Sequence, residues 1–148
     1  MKLYSLKNKR ILITGNSGFV GSYLSMSLNL LGSKVFGYSL KMKNNNFLSN
    51  TKGYKKNIKT INDDIININK HYKKILFFNP QIIIHLASQP LVNLSYTETS
   101  KTYKTNVLGT VTLMELIKKL KSVKHVLIFT SDKVYENIQG QLLSEKSK

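Results

Sequence analysis

Short apolar runs alternate along the chain with longer segments whose apolar positions recur every three to four residues. Arg10-Ile11-Leu12-Ile13-Thr14 reads as a buried strand entering the glycine turn Gly15-Asn16-Ser17-Gly18. Beyond it, Val20, Leu24, Leu28 and Leu31 share one face of a predicted helix, and Gly32 is placed to end it as a left-handed cap. Lys34-Val35-Phe36-Gly37-Tyr38 is predicted as a second strand. Strand, turn, helix and strand then occupy about thirty residues, the size of one right-handed crossover unit.

The segment from Lys41 to Lys59, with Asn44-Asn45-Asn46 at its centre, is polar and reads as a mobile surface loop. A short third strand is expected within Asn57 to Ile61. Asn67 is placed to cap a helix whose last turns hold Ile75, Leu76, Phe77 and Phe78, and Pro80 is placed to stop it. Gln81-Ile82-Ile83-Ile84-His85-Leu86 has the nearly continuous apolarity of a strand covered on both faces. A long helix is expected from about Thr99 to Lys121, with Tyr103, Val107, Val111, Met114, Ile117 and Leu120 as its apolar stripe. It leads into another predicted buried strand, Lys124-His125-Val126-Leu127-Ile128-Phe129-Thr130. Alternating strands and helices imply an α/β fold, a doubly wound parallel sheet with helices on both faces.

Composition narrows the function classes. The 148 residues are 41% hydrophobic, suiting one domain, and no apolar run approaches the roughly 18 residues of a membrane span. The first ten residues lack the apolar core of a signal peptide, so a soluble cytoplasmic protein is expected. The absence of cysteine removes disulfides, thiolate zinc sites and thiol nucleophiles. The formal net charge of +16 invites an anionic partner, but 22 of the 23 basic residues are Lys. A dedicated base or phosphate reader would use more Arg for its planar fork, which makes nucleic acid the less favoured partner. No acid precedes Asp63.

The chemistry concentrates at the ends of the predicted strands. Glycines 15, 18 and 21 lie between a strand and a helix, the context in which such spacing marks a dinucleotide site. Gly15 permits a tight turn, Gly18 lets a pyrophosphate approach the backbone and Gly21 lets helix and sheet pack closely; Asn16, Ser17, Phe19 and Val20 complete the loop. Such a site commonly has an acid after the second strand for the adenosine ribose. Here Ser39, Leu40 and Lys41 occupy that place, so Lys41 or Lys43 favours a 2′-phosphate, or neutral donors serve the ribose. Leu86-Ala87-Ser88-Gln89-Pro90 and Thr130-Ser131-Asp132-Lys133 should line the same crevice, although Asp132 and Lys133 also suit a solvated pair. His85 reads as a satisfied core histidine. His71 and His125 lack metal-ligand spacing, so no metal site is expected.

Thr14-Gly15-x-x-Gly18-Phe19-x-Gly21 with His85-Leu86-Ala87 resembles the extended short-chain dehydrogenases/reductases. Three longer strings resemble the CDP-glucose 4,6-dehydratase family within it: Gln89-Pro90-Leu91-Val92-x-Leu94-Ser95-Tyr96, Thr102-Tyr103-x-Thr105-Asn106-Val107-x-Gly109-Thr110-Val111 and Thr130-Ser131-Asp132-Lys133-x-Tyr135-Glu136-Asn137. The resemblance runs from Lys9 to Asn137. It implies a truncated Rossmann-like domain over residues 1–148, five strands in order 3-2-1-4-5, without the nucleotide-sugar domain. It also implies NAD as a recycled hydride carrier, CDP-glucose as substrate of the complete, homo-oligomeric enzyme, and a 4-keto-6-deoxy sugar as product.

On matching positions, the resemblance gives the pyrophosphate to Gly15, Gly18, Phe19 and Gly21, and the adenine to Asp64 and Ile65. Leu86, Ala87, Ser88 and Thr130 would face the rest of the cofactor, with Asn106 supporting the site from the long helix. Ser131, Asp132 and Lys133 match the catalytic strand end: Asp132 would protonate the departing C6 hydroxyl, and Lys133 would remove the C5 proton or stabilise the enolate. Lys133 stands where most sugar-nucleotide 4,6-dehydratases carry Glu. Three departures accompany these matches. Lys41 replaces the acid often found after the second strand, Asn93 stands where the family usually has Arg, and none of the eight Tyr is followed four residues later by Lys. The Tyr-x-x-x-Lys pair is needed for oxidation at C4, so an inactive N-terminal fragment is expected. Another nucleotide-sugar dehydratase, a 4-epimerase, or a basic remnant that binds nucleic acid or a partner are the alternatives.

Overall fold

The computed structural model describes residues 6–41, 48–131 and 144. Five parallel strands form one sheet: β1 (Arg10–Thr14), β2 (Lys34–Ser39), β3 (Lys59–Asn62), β4 (Ile82–His85) and β5 (His125–Ile128), in the spatial order β3-β2-β1-β4-β5. This is the expected order 3-2-1-4-5. Thr14 is in register with Tyr38 on one side and His85 on the other, and His85 with Ile128, so these strands end at one level. The direction of chain order reverses at β1, which opens a crevice beyond those ends.

Alternation along β1 feeds two cores. Leu12 points with Tyr38 and Ile83 into a core completed by Ile68, Ile75, Leu113 and Leu116, from a 3-10 segment (Ile65–His71), α3 (Tyr72–Phe78) and α6 (Gly109–Lys118). Ile11 and Ile13 point the opposite way, against Leu28 of α1 (Phe19–Leu30) and Tyr54 of α2 (Lys52–Asn57). Each such side chain contributes roughly 1.5–3 kcal/mol when fully buried.

The helices depart from the expected stripes for identifiable reasons. α1 buries Gly21, Ser22, Ser25 and Leu28, while Val20 is 55% and Leu31 43% exposed, because small residues bring this helix close to the sheet. Gly32 ends it at φ +85°, as expected. The segment expected as a loop instead contains a 3-10 turn (Leu48–Asn50) and α2, pinned by the buried Tyr54, with the Thr51 side chain capping α2. Residues 42–47, including Lys43, lie outside the described residues. Asp64, rather than Asn67, caps the next helical segment by accepting from Ile66 N; Asn67 Nδ2 donates to Asp63. α3 ends at Asn79, left-handed at φ +55°, one residue before Pro80, and its carbonyl accepts from Arg10 Nε.

The long helix is broken into α5 (Thr99–Tyr103), a π-helical turn (Lys104–Leu108) and α6, after an unforeseen α4 (Val92–Thr97). The wider turn breaks the 3.6-residue register, and the buried face is Gly109, Leu113, Leu116 and Leu120. The expected stripe residues Tyr103, Val107, Val111 and Met114 are exposed instead. β5, expected to be buried, is exposed from His125 to Leu127; among the described residues it pairs with β4 alone. No helix among the described residues is long and apolar enough to cross a membrane.

Candidate functional site

A cleft of about 470 Å³ lies beyond the carboxyl ends of the strands. Its centre is the turn after β1. Gly15 N donates to the Tyr38 carbonyl at 2.8 Å, and Gly18 N to the Gly15 carbonyl at 3.1 Å. Gly15 has φ +72°, and a Cβ there would lie 2.7 Å from Ala87 N and from the Leu86 carbonyl carbon, so β4 closes against a position only glycine can hold. A Cβ at Gly21 would collide with the Gly15 carbonyl. Gly18 is different. It is the N-cap of α1 with extended backbone, and a Cβ would meet only Gly15 O at 3.3 Å, leaving its face open to the cleft. Gly18 has no side chain with which to cap α1 and no acid occupies the first turn, so the positive end of the helix dipole faces the cleft.

Asn16 and Ser17 belong to the same loop but point elsewhere. Asn16 is fully buried; its Nδ2 donates to Tyr54 Oη and Thr60 Oγ1, both at 2.8 Å, and Tyr54 Oη donates back to the Asn16 carbonyl at 2.8 Å. Burial raises the Tyr54 pKa, which keeps this donor protonated. Gly37 makes room for the Asn16 amide, with which a Cβ there would collide. Ser17 Oγ lies 2.5 Å from Ser39 Oγ and donates to the Leu40 carbonyl at 3.0 Å, while its own carbonyl accepts from Ser49 Oγ. Both residues brace the turn from behind, and neither lines the cleft.

One wall consists of Tyr38, Ser39, Leu40, Asp63, Asp64 and Ile65. Tyr38 Oη donates to the Asp64 carbonyl at 2.8 Å, and burial, with Asp63 and Asp64 nearby, pushes its pKa far above the ordinary tyrosine value. Asp63 Oδ2 pairs with His71 Nε2 at 2.8 Å, and that bond, helped by Asn67, holds its pKa down at about 2. The wall therefore keeps an ionised carboxylate and a protonated phenol at neutral pH. The opposite wall carries Leu86, Ala87, Ser88, Pro90, Thr105, Phe129 and Thr130. Beneath it, Thr14 Oγ1 lies 2.6 Å from His85 Nδ1, and His85 Nε2 lies 3.0 Å from Thr110 Oγ1. His85 is a core residue with both ring nitrogens engaged, and burial lowers its pKa.

Asn106, in the π turn, grips the Gln89 backbone from both sides: Gln89 N donates to Oδ1 at 2.8 Å, and Nδ2 donates to Gln89 O at 3.2 Å. It shapes the loop after β4, while its neighbour Thr105 faces the cleft. Ser131 follows Thr130, is exposed and does not line the cleft. Asp132 and Lys133 lie outside the described residues. Among the described residues, no group of three His, Asp or Glu could hold a metal ion. The structure thus brings Gly15, Gly18, Phe19, Val20, Gly21, Asp64, Ile65, Leu86, Ala87, Ser88 and Thr130 into one cleft. Pro90, Ser39 and Leu40 line it as their places after β4 and β2 suggested, whereas sequence reasoning missed Tyr38, Asp63, Thr105 and Phe129 as lining residues. Most of them flank strand ends, and that position was the signal available.

Residues 12–148 match the family model described as GDP-mannose 4,6 dehydratase. The chain belongs to this family. Within the family's range of chemistry, it is 40% identical over 131 residues to CDP-glucose 4,6-dehydratase of Salmonella typhimurium, covering 88% of this chain and 36% of that protein. It is 31% identical over 148 residues to human dTDP-D-glucose 4,6-dehydratase, covering 94% of this chain and 40% of that one. The chain therefore spans well under half the length of these relatives. Among solved structures, UDP-glucose-4-epimerase of Stenotrophomonas maltophila, with bound NAD and formylated UDP-arabinopyranose, superposes with a TM-score of 0.82. It is 17% identical and covers 94% of this chain and 42% of that one. That likeness establishes the Rossmann-like fold of this family member.

Proposed function

We propose that residues 1–148 are the dinucleotide-binding domain of a cytoplasmic nucleotide-sugar 4,6-dehydratase that uses NAD and acts on CDP-glucose, the nucleotide-sugar domain lying outside these residues. The observation that carries this reading is the cleft, in which the N-terminal end of α1 and the open face of Gly18 meet at the switch point of a parallel sheet. The higher identity to the CDP-glucose enzyme than to the dTDP-glucose enzyme supports the choice of sugar nucleotide. The exposed apolar residues Tyr103, Val107, Val111 and Met114 support a homo-oligomer.

The residues present fit a dinucleotide. Gly15, Gly18, Phe19 and Gly21 hold the pyrophosphate against the end of α1, Asp64 and Ile65 border the adenine, and Leu86, Ala87, Ser88 and Thr130 border the rest. Bound there, the dinucleotide supplies a hydride acceptor at the strand ends. Asn106 fixes the Gln89 backbone that borders this space. Ser131 orients the sugar, Asp132 delivers a proton to the departing C6 hydroxyl, and Lys133 takes the C5 proton or stabilises the enolate as an ammonium. No Tyr-x-x-x-Lys pair occurs in these 148 residues, so the C4 hydroxyl has no base and the isolated chain is inactive.

Joining residues 1–148 to the remaining part of the Salmonella enzyme tests the reading. The chimera is expected to convert CDP-glucose to a 4-keto product, while the isolated chain binds NAD weakly and makes none. A folded chimera that binds both ligands and makes no 4-keto sugar, or turnover by the isolated chain, overturns it.

A further inference from the structure

Beyond His85, the end of β4, residues 86–91 belong to no strand or helix, and two side-chain amides acting in series hold the second half of this loop. Asn106 takes both backbone groups of Gln89. Gln89 in turn takes both backbone groups of Leu91: its Oε1 accepts from Leu91 N at 2.6 Å, and its Nε2 donates to the Leu91 carbonyl at 3.1 Å. Nε2 also donates to Thr102 Oγ1 of α5 at 3.0 Å. Both N–H groups of this amide are used within the protein, so none is left for a ligand. Gln89 and Thr102 do not line the cleft, whereas Ser88 and Pro90, on either side of Gln89, do. The Gln89 side chain therefore closes a ring behind Pro90, whose fixed φ and missing N–H keep the loop from pairing as a strand.

Resting on the dinucleotide reading above, we propose that Gln89 is a positioning residue: tied to α5 and to the π turn, it sets Ser88 and Pro90 against the nicotinamide half of the bound dinucleotide. It touches no ligand itself. Its side-chain hydrogen bonds fix the loop before the ligand arrives, which removes an ordering cost from binding. The adenosine half, bordered by Gly18, Asp64 and Ile65, does not depend on this amide.

Titration calorimetry of the 148-residue chain with NAD and with ADP-ribose, which lacks the nicotinamide ring, tests this. Gln89→Met keeps the length of the side chain and removes its hydrogen bonds. It is expected to weaken NAD binding about five- to tenfold, the range of one or two neutral hydrogen bonds, while ADP-ribose binding stays within about twofold. Thr102→Val, outside the cleft, should lower the affinity for NAD relative to ADP-ribose about two- to threefold, and Thr102→Ser should restore it. A folded Gln89→Met chain that loses both ligands equally, or neither, overturns the proposal and leaves the dinucleotide reading standing. So does equal behaviour of Thr102→Val and Thr102→Ser, which decides alone where Gln89→Met does not fold. Failure of the folded wild-type chain to bind either ligand overturns both.

Discussion

On the glycine-turn side of the cleft the polar groups are spent on holding the turn: Asn16 is locked to Tyr54 and Thr60, Ser17 to Ser39, and Gly15 to Tyr38. On the β5 side, Val126, Leu127 and Phe129 are 39%, 52% and 50% exposed, and the strand is bonded along one edge. The turn is therefore held in place by the fold itself, whereas β5, among the described residues, is paired with β4 alone. A preorganised turn spares the ligand the cost of ordering it.

Substitutions should separate the two regions by size of effect. Gly21→Val, which drives a side chain into the Gly15 carbonyl and Asn16, is expected to cost roughly 3 kcal/mol or more in urea unfolding. Tyr54→Phe removes the hydroxyl that both accepts from and donates to Asn16, with an expected loss of about 1–3 kcal/mol by the same measurement. A smaller effect is expected at His85, whose burial depresses its pKa in the folded state. The unfolded chain then binds the proton more readily, so stability falls as pH drops below about 6.5. Unfolding midpoints of wild type and His85→Gln across pH 5–8 should show a shallower slope in the variant; equal slopes would remove His85 as the cause. Leu127→Lys, on the open strand, should change stability by under about 0.5 kcal/mol. A loss near that of Gly21→Val would show β5 to be as well packed as the turn.

The same division decided what could be read from the sequence. β1 and its glycine turn were legible because a strand, glycines at fixed spacing and a helix constrain one another within a few residues, and the order of the five strands followed from the family resemblance. The buried faces of α1 and α6 were not. α1 packs through Gly21, Ser22 and Ser25, which a search for large apolar residues passes over. In α6 apolar residues occupy two faces, and the π turn at Lys104–Leu108 decides which one meets the sheet. β5 has the composition of a central strand, and among the described residues it is paired on one side. Asn16 and Ser17 lie inside a loop expected to touch ligand, yet their side chains turn to Tyr54, Thr60 and Ser39, partners 22 to 44 residues away in sequence.

Gly18 offers the most direct test of the cleft as a dinucleotide site, because it lines the cleft and a Cβ there meets the Gly15 carbonyl alone, at 3.3 Å, against the direct overlap at Gly15 and Gly21. Calorimetric titration of NAD into the wild-type chain and Gly18→Val, with urea unfolding of both, should show binding to the wild type, at least a tenfold loss in the variant and nearly equal stabilities. Equal NAD binding by the two proteins, or none by a folded wild-type chain, would contradict the assignment.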